Sequence, residues 1–133
     1  IAGVATGAIA HGMLIASKLN LPFIYVRDKA KGHGKENQIE GYLKKGSNVI
    51  VIEDLISTGK SSINAMNAIR KQNANIISLM SIFTYEIADT EQFKTEYYSL
   101  SNYSCLINLA SQKNIINNDE KEILTNWKKS LIK

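Results

Sequence analysis

Four consecutive β-branched residues, Val49-Ile50-Val51-Ile52, run into two adjacent acids and a short polar turn, Glu53-Asp54-Leu55-Ile56-Ser57-Thr58-Gly59-Lys60-Ser61-Ser62. A run apolar on both faces suits a central parallel strand covered by helices on either side, and ligands of such sheets gather at the strands' carboxyl ends. Glu53 and Asp54 fall at that end. The turn after them carries hydroxyls and one glycine, and a helix-compatible run starts at about Ser61. Several unpaired backbone N–H groups should therefore converge beside the acids, and such a pocket suits a phosphate.

The rest of the chain alternates in a way that fits such a sheet. Ile1 to Ala5 reads as a strand ending at Thr6-Gly7, and apolar residues at Ile9, Met13, Leu14 and Leu19 describe a helix stopped by Asn20-Leu21-Pro22. Phe23 to Val26 is a second strand, which makes a βαβ unit with a right-handed crossover. Asp28 to Asn37 is a polar loop around Gly32-His33-Gly34. Ile39 to Leu43 is expected to turn at Lys44–Ser47 and form a hairpin with the central strand. A helix over Ser61 to Gln72 and a strand over Ile76 to Phe83 continue the alternation, so the fold class expected is α/β, a mostly parallel sheet flanked by helices. Further on, Asp89 to Lys94 reads as a short helix. Tyr103-Leu106-Ile107-Ala110 and Ile123-Leu124-Trp127-Leu131 each fit one helical face, and Asn117 with Glu120 forms a helix-start signal. These last helices are expected on the flank of the sheet, with Trp127 and the tyrosines in core or interface positions.

The 133 residues amount to one domain without repeats or a low-complexity linker. Because the first residue is Ile1, already inside an apparent core strand, we expect a piece of a longer protein. The single Cys105 excludes an intramolecular disulfide and a cysteine-rich metal site, favours a reducing compartment, and is expected to be a small buried hydrophobe. No apolar run approaches a membrane span and no secretory signal is visible, so the expectation is a cytoplasmic protein without a membrane partner. The net charge of +4 is moderate, but Arg27, Lys29, Lys31, His33 and Lys35 alternate along one short segment. With no aromatic residues interleaved and no nucleic-acid module present, this cluster reads as a local anion site and nucleic acid is not an expected partner.

Gly59-Lys60-Ser61 resembles the end of a nucleotide-binding P-loop, but that motif needs a glycine where Asp54 stands, and an acid there would repel the phosphates. The residues are better read as two anion sites with a sugar between them. The Ser57-to-Ser62 turn would hold a monophosphate while Glu53 and Asp54 accept hydrogen bonds from ribose hydroxyls. Negative charge near an anomeric carbon also stabilises an oxocarbenium-like transition state, and a leaving pyrophosphate needs positive charge elsewhere. The Arg27-to-Lys35 segment supplies that charge, and Ala5-Thr6-Gly7-Ala8, a turn at another strand's carboxyl end, offers backbone donors. His33 between glycines is a ligand or catalytic candidate, whereas His11 in the first helix reads as structural or surface.

Glu53-Asp54-Leu55-Ile56-Ser57-Thr58-Gly59 resembles the phosphoribosyl-pyrophosphate (PRPP) signature of the type I phosphoribosyltransferases. Tyr25-Val26-Arg27-Asp28-Lys29-Ala30-Lys31-Gly32-His33-Gly34, with Gln38-Ile39-Glu40-Gly41, is similar to the catalytic loop of the orotate phosphoribosyltransferases within that superfamily. Ile1 to Gly12 resembles their pyrophosphate-side turn and helix. The resemblance covers the chain to about Ser62, extends to Ile82-Phe83-Thr84-Tyr85, and is not diagnostic in the last third.

It implies a single phosphoribosyltransferase domain over residues 1–133, lacking an N-terminal base-enclosing segment. The implied reaction converts orotate and PRPP to orotidine 5′-monophosphate and pyrophosphate, in pyrimidine (UMP) biosynthesis, with Mg²⁺ carried chiefly by PRPP and no direct protein ligand. The implied catalytic residues are Lys29, Lys31, His33 and Asp54. PRPP would be bound by Arg27, Lys29, Lys31, His33, Glu53, Asp54, Leu55, Ile56, Ser57, Thr58, Gly59, Lys60 and Ser61, with Ser57 also near orotate and Ala5, Thr6, Gly7 and Ala8 on the pyrophosphate side. A homodimer with the loop shared between subunits is also implied. Two positions depart from the pattern. Asp28 stands where many members have lysine, which leaves that role to Lys29, and Lys60 stands where many have glycine and is expected to face solvent. The rival readings are a purine or uracil phosphoribosyltransferase and a non-catalytic PRPP-binding regulatory domain, both disfavoured by the Lys31 and His33 loop.

Overall fold

A computed structural model describes residues 1–28 and 37–132. Its elements run β1 (Ala2–Val4), α1 (Ala8–Leu19), β2 (Ile24–Val26), β3 (Ile39–Glu40), β4 (Asn48–Ile56), α2 (Lys60–Lys71), β5 (Asn75–Thr84), a 3-10 turn (Thr90–Phe93), β6 (Glu96–Asn102), α3 (Tyr103–Gln112) and α4 (Asn118–Leu131). The strands form one sheet in the order β3-β2-β1-β4-β5-β6, parallel throughout except for the edge strand β3. The α/β reading is therefore correct. From β1 the chain moves outward to β2, and from β4 it moves the other way to β5. Right-handed crossovers put α1 and α2 on opposite faces and open a crevice between the carboxyl ends of β1 and β4.

The two faces are built differently. Under α2 lies the core: Val51, Ile56, Met66, Ile69 and Leu79 are all essentially inaccessible, and each such side chain contributes about 1.5–3 kcal/mol through burial. Under α1 the packing uses absent side chains. A β-carbon on Gly3 would lie 2.7 Å from the Ala8 carbonyl oxygen, and one on Gly12 would lie 2.8 Å from the Phe23 ring and 3.2 Å from the Gly3 Cα. The helix consequently sits low over β1 and brings its first turn close to the crevice. Beyond α1 the same face is open over β5 and β6, where Leu14, Ile52, Met80, Ile82, Tyr98 and Leu100 line an apolar cavity of about 420 Å³.

Helix ends follow local chemistry. α1 stops at Asn20 in the left-handed region, with the Leu21 N–H reaching back to the Ala16 carbonyl and Pro22 just beyond. The Asn117 and Glu120 start signal is a full capping box: Asn117 Oδ1 accepts from the Glu120 N–H at 2.9 Å, and Glu120 Oε2 accepts from the Asn117 N–H at 2.8 Å. α4 is tied down mainly near its end. Trp127 lies 5.4 Å from Tyr103 and 5.8 Å from Tyr85, centroid to centroid, and Lys128 Nζ donates to Glu86 Oε2 at 2.6 Å and to Ser104 Oγ at 2.9 Å. No described helix is long and apolar enough to cross a membrane.

Four expectations need correction. The strand beginning at Ile39 ends at Glu40 and pairs antiparallel with β2, so the hairpin lies across the basic loop and not with β4. Gly41, at φ +106, turns the chain away where a side chain would strike Ile24. β4 continues past the acids to Ile56. Cys105 is exposed on the outer face of α3. β6 was not foreseen, and it extends the sheet by one parallel strand.

The backbone backstop at Gly3 generates a prediction. A Gly3→Ala substitution should destabilise the protein by about 1–3 kcal/mol, the usual cost of overpacking, despite alanine's smaller loss of backbone entropy on folding. A thermal melt of the variant should show a lower Tm; an unchanged or higher Tm would contradict the close helix-strand packing.

Candidate functional site

The site forms where α1 and α2 both begin, at the carboxyl ends of adjacent parallel strands. Gly7 precedes α1 and Gly59 precedes α2, and neither helix has a side-chain cap. No side chain competes for their first N–H groups, although in α1 the Ile9 N–H already donates to the Thr6 carbonyl at 3.2 Å. The turn Ser57–Gly59 and the first residues of α2 surround a cavity of about 100 Å³ lined by Glu53 and Leu55 to Ser62. Ser57, Thr58, Lys60 and Ser61 are exposed, and Ser62 is buried. Lys60 therefore lies on the solvent side, as expected. Leu55 is half exposed, whereas the Ile56 side chain belongs to the core and has only its backbone to offer a ligand. Gly59 adopts φ +80, and a β-carbon on it would lie 2.6 Å from the Phe93 ring.

The turn after β1 comes to the same place. The Ala5 N–H donates to the Val26 carbonyl at 2.8 Å, Ala8 is buried, and Thr6 and Gly7 face solvent. The Ala5–Thr6 peptide is cis. A β-carbon on Gly7 would fall inside the Asp54 carboxylate, so the acid stands directly against the turn's backbone. Asp54 Oδ1 also accepts from the Leu55 N–H at 2.9 Å, which fixes the side chain. His11 is exposed, with Nδ1 3.1 Å from the Gly7 carbonyl oxygen, and the tautomer protonated on Nδ1 donates there.

Glu53 differs from its neighbour. Only 6% of it is accessible, and its Oε2 has no hydrogen-bond partner among the described residues. Burial, and then the adjacent Asp54 carboxylate, push its pKa up to about 8. The free site at neutral pH thus holds one neutral acid and one partly accessible one, an arrangement less repulsive to phosphates than two carboxylates.

Of the basic segment, Arg27 is described and Lys29, Lys31 and His33 lie outside the described residues. Arg27 Nη1 bonds Glu40 Oε1 at 3.3 Å, an ion pair across β2 and β3. The stems of the segment are joined by the Arg27 N–H donating to the Gln38 carbonyl at 2.8 Å, and by Gln38 Nε2 donating to the carbonyls of Arg27 and Asp28. Sequence reasoning noticed Gln38 only as part of a motif. It missed Phe93 beneath Gly59 altogether, for which a lone aromatic in a short polar helix offers no signal.

The buried acid has a measurable consequence. Glu53 binds its proton more tightly folded than unfolded, so between about pH 4.5, its ordinary value, and about pH 8 it should lower stability as pH rises, with no further loss above. Glu53→Gln should be more stable than the parent near pH 8, and the gap in Tm should close toward pH 4.5. A pH-independent gap would show that Glu53 is not a buried neutral acid.

Among solved structures, the fold resembles Leishmania donovani UMP synthase (TM-score 0.78, 23% identity, 97% of this chain and 28% of that one). It also resembles orotate phosphoribosyltransferase from Aeropyrum pernix (TM-score 0.74, 24% identity, 87% of this chain and 65% of that one). Identities this low speak for the fold alone. Curated relatives are closer in sequence: orotate phosphoribosyltransferase of Malacoplasma penetrans is 48% identical over 98% of this chain, and that of Bacillus anthracis 46% over 98%. The chain spans 65% and 64% of the length of these two relatives. The phosphoribosyl transferase domain family matches residues 1–116, a range that contains the strand ends, glycine turns and acid pair described above. The chain belongs to the phosphoribosyl transferase domain family.

Proposed function

We propose that the protein is an orotate phosphoribosyltransferase, a pentosyltransferase that joins orotate to the ribose 5-phosphate of PRPP and releases pyrophosphate. The observation that carries this reading is the approach of Asp54 to the Gly7 turn, which brings the ribose acids and the pyrophosphate-side backbone to one crevice. The choice of orotate is supported by the 48% identity to the Malacoplasma penetrans enzyme and by the Lys31 and His33 loop motif.

In this reading the uncapped start of α2 and the hydroxyls of Ser57, Thr58 and Ser61 hold the 5-phosphate, and Glu53 and Asp54 take the ribose hydroxyls. As the anomeric bond breaks, carboxylate charge beneath the sugar stabilises the positive carbon, while Arg27, Lys29, Lys31 and His33 receive the charge of the departing pyrophosphate. Backbone donors of Thr6 to Ala8 serve the same group, and Ser57 lies near the base. Mg²⁺ belongs to this reading as an ion carried on PRPP, where it neutralises pyrophosphate charge. The residue of this chain that would lie beside that ion is Asp54, which stands against the Gly7 turn. The reading also takes the protein as a cytoplasmic homodimer with the basic loop shared between subunits.

The direct test follows base consumption by the complete natural protein with PRPP, Mg²⁺ and each candidate base. Orotate should be consumed, and turnover of a different base without orotate turnover would overturn the substrate assignment. Lys31→Ala and His33→Ala should each lower kcat about 10²-fold, by analogy with lost transition-state donors, with a smaller change in PRPP affinity. Unchanged kcat in both variants would remove the loop from the chemistry. Mixed dimers, one subunit altered at His33 and the other at Asp54, should regain activity if the loop is shared.

A further inference from the structure

The phosphate turn and the strand that carries the ribose acids are joined beneath the sheet surface by residues outside every motif discussed so far. The phosphate turn rests on Phe93, which is fully buried and whose ring occupies the space a Gly59 side chain would need. The Phe93 carbonyl accepts from Arg70 Nη2 at 2.9 Å. Arg70 lies in the last turn of α2, the helix whose first turn forms the phosphate cavity. Phe93 is thus held by one end of the helix while it supports the other.

The Phe93 ring meets Tyr97 edge-on, with centroids 5.3 Å apart and planes at 73°. The Tyr97 hydroxyl is 3.0 Å from Ser81 Oγ, and Ser81 is the register partner of Glu53 across β4 and β5. Ser81 Oγ donates to Ser99 Oγ at 2.9 Å, and Ser99 Oγ donates to the Ser101 carbonyl at 2.8 Å. With the Ser81 proton spent on Ser99, the Tyr97 O–H is the donor to Ser81. The hydroxyl protons of Tyr97, Ser81 and Ser99 are all committed, which agrees with Glu53 Oε2 having no partner among the described residues. The network therefore acts on Glu53 by holding its neighbouring strand.

We infer that Tyr97 is a positioning residue for the sugar-phosphate half of the site: through Phe93 on one side and Ser81 on the other, it sets the separation between the phosphate turn and the ribose acids. The inference rests on the PRPP reading above but is independent of which base is used. A ligand that bridges both ends, ribose 5-phosphate, depends on that separation. Pyrophosphate, which would meet the β1 turn and the basic loop, does not.

The test is calorimetric titration of the complete protein and its Tyr97→Phe variant with ribose 5-phosphate and, separately, with inorganic pyrophosphate, both with Mg²⁺. Tyr97→Phe keeps the ring against Phe93 and removes one hydrogen bond, so ribose 5-phosphate affinity should fall about fivefold while pyrophosphate affinity stays within about twofold. Ser81→Ala should give a loss similar to that of Tyr97→Phe, and the double variant no more than the larger single loss. Unchanged ribose 5-phosphate affinity in Tyr97→Phe, or equal losses for both ligands, would overturn the positioning role. Parent protein that fails to bind ribose 5-phosphate would overturn it together with the PRPP reading. Parent protein that binds ribose 5-phosphate without consuming orotate, with the selective Tyr97→Phe loss, would support the positioning role and sink only the orotate assignment.

Discussion

The contact between the Gly7 backbone and the Asp54 carboxylate is the constraint on which the rest of the site depends. It requires β1 and β4 to be neighbours, their following helices to leave on opposite faces, and α1 to lie low enough that its first turn reaches the strand ends. Gly3 and Gly12 make the last of these possible, because any β-carbon there meets backbone or a ring. Three absent side chains, at positions 3, 7 and 12, therefore bring the two halves of one crevice into register. Hydrophobic burial, concentrated under α2, supplies stability to the same sheet without crowding the ligand side.

The electrostatics follow from that geometry. Placing two acids where the proposed function puts an anion would ordinarily be self-defeating. Here Glu53 is withdrawn into the sheet and its pKa raised, while Asp54 stays accessible against the turn. The uncapped helix starts add partial positive charge from backbone groups alone. The site can thereby offer acceptors to a sugar and donors to a phosphate within a few residues of chain.

Much of this was legible in the order of residue types. A β-branched run ending in acids and a hydroxyl-rich turn indicates a central parallel strand followed by a helix, and that reading holds for β4 and α2. The capping box at Asn117 was equally plain. The errors occurred where pairing is decided by partners distant in sequence. Ile39 and Glu40 carry no mark that distinguishes β2 from β4 as a neighbour, and the turn at Lys44–Ser47 offered a false one. β6 alternates Tyr97 and Ser99 against Tyr98 and Leu100, so neither face is uniformly apolar and no period stands out. Cys105 looked like a core residue because cysteine usually is one, but α3 turns that face outward.

By itself the sequence determined the chemistry on offer: which residues can meet a phosphate, a ribose or a pyrophosphate, and on which turns they stand, because strand, turn and helix starts are set by local patterns. Only the tertiary structure decided that Asp54 rests on Gly7, that Glu53 is buried with its Oε2 unpartnered among the described residues, and that Phe93 and Tyr97 support the site from below. Each of these depends on strand order and on helix-to-sheet distance, quantities that arise from packing between segments far apart in the chain and leave no local mark on any one of them.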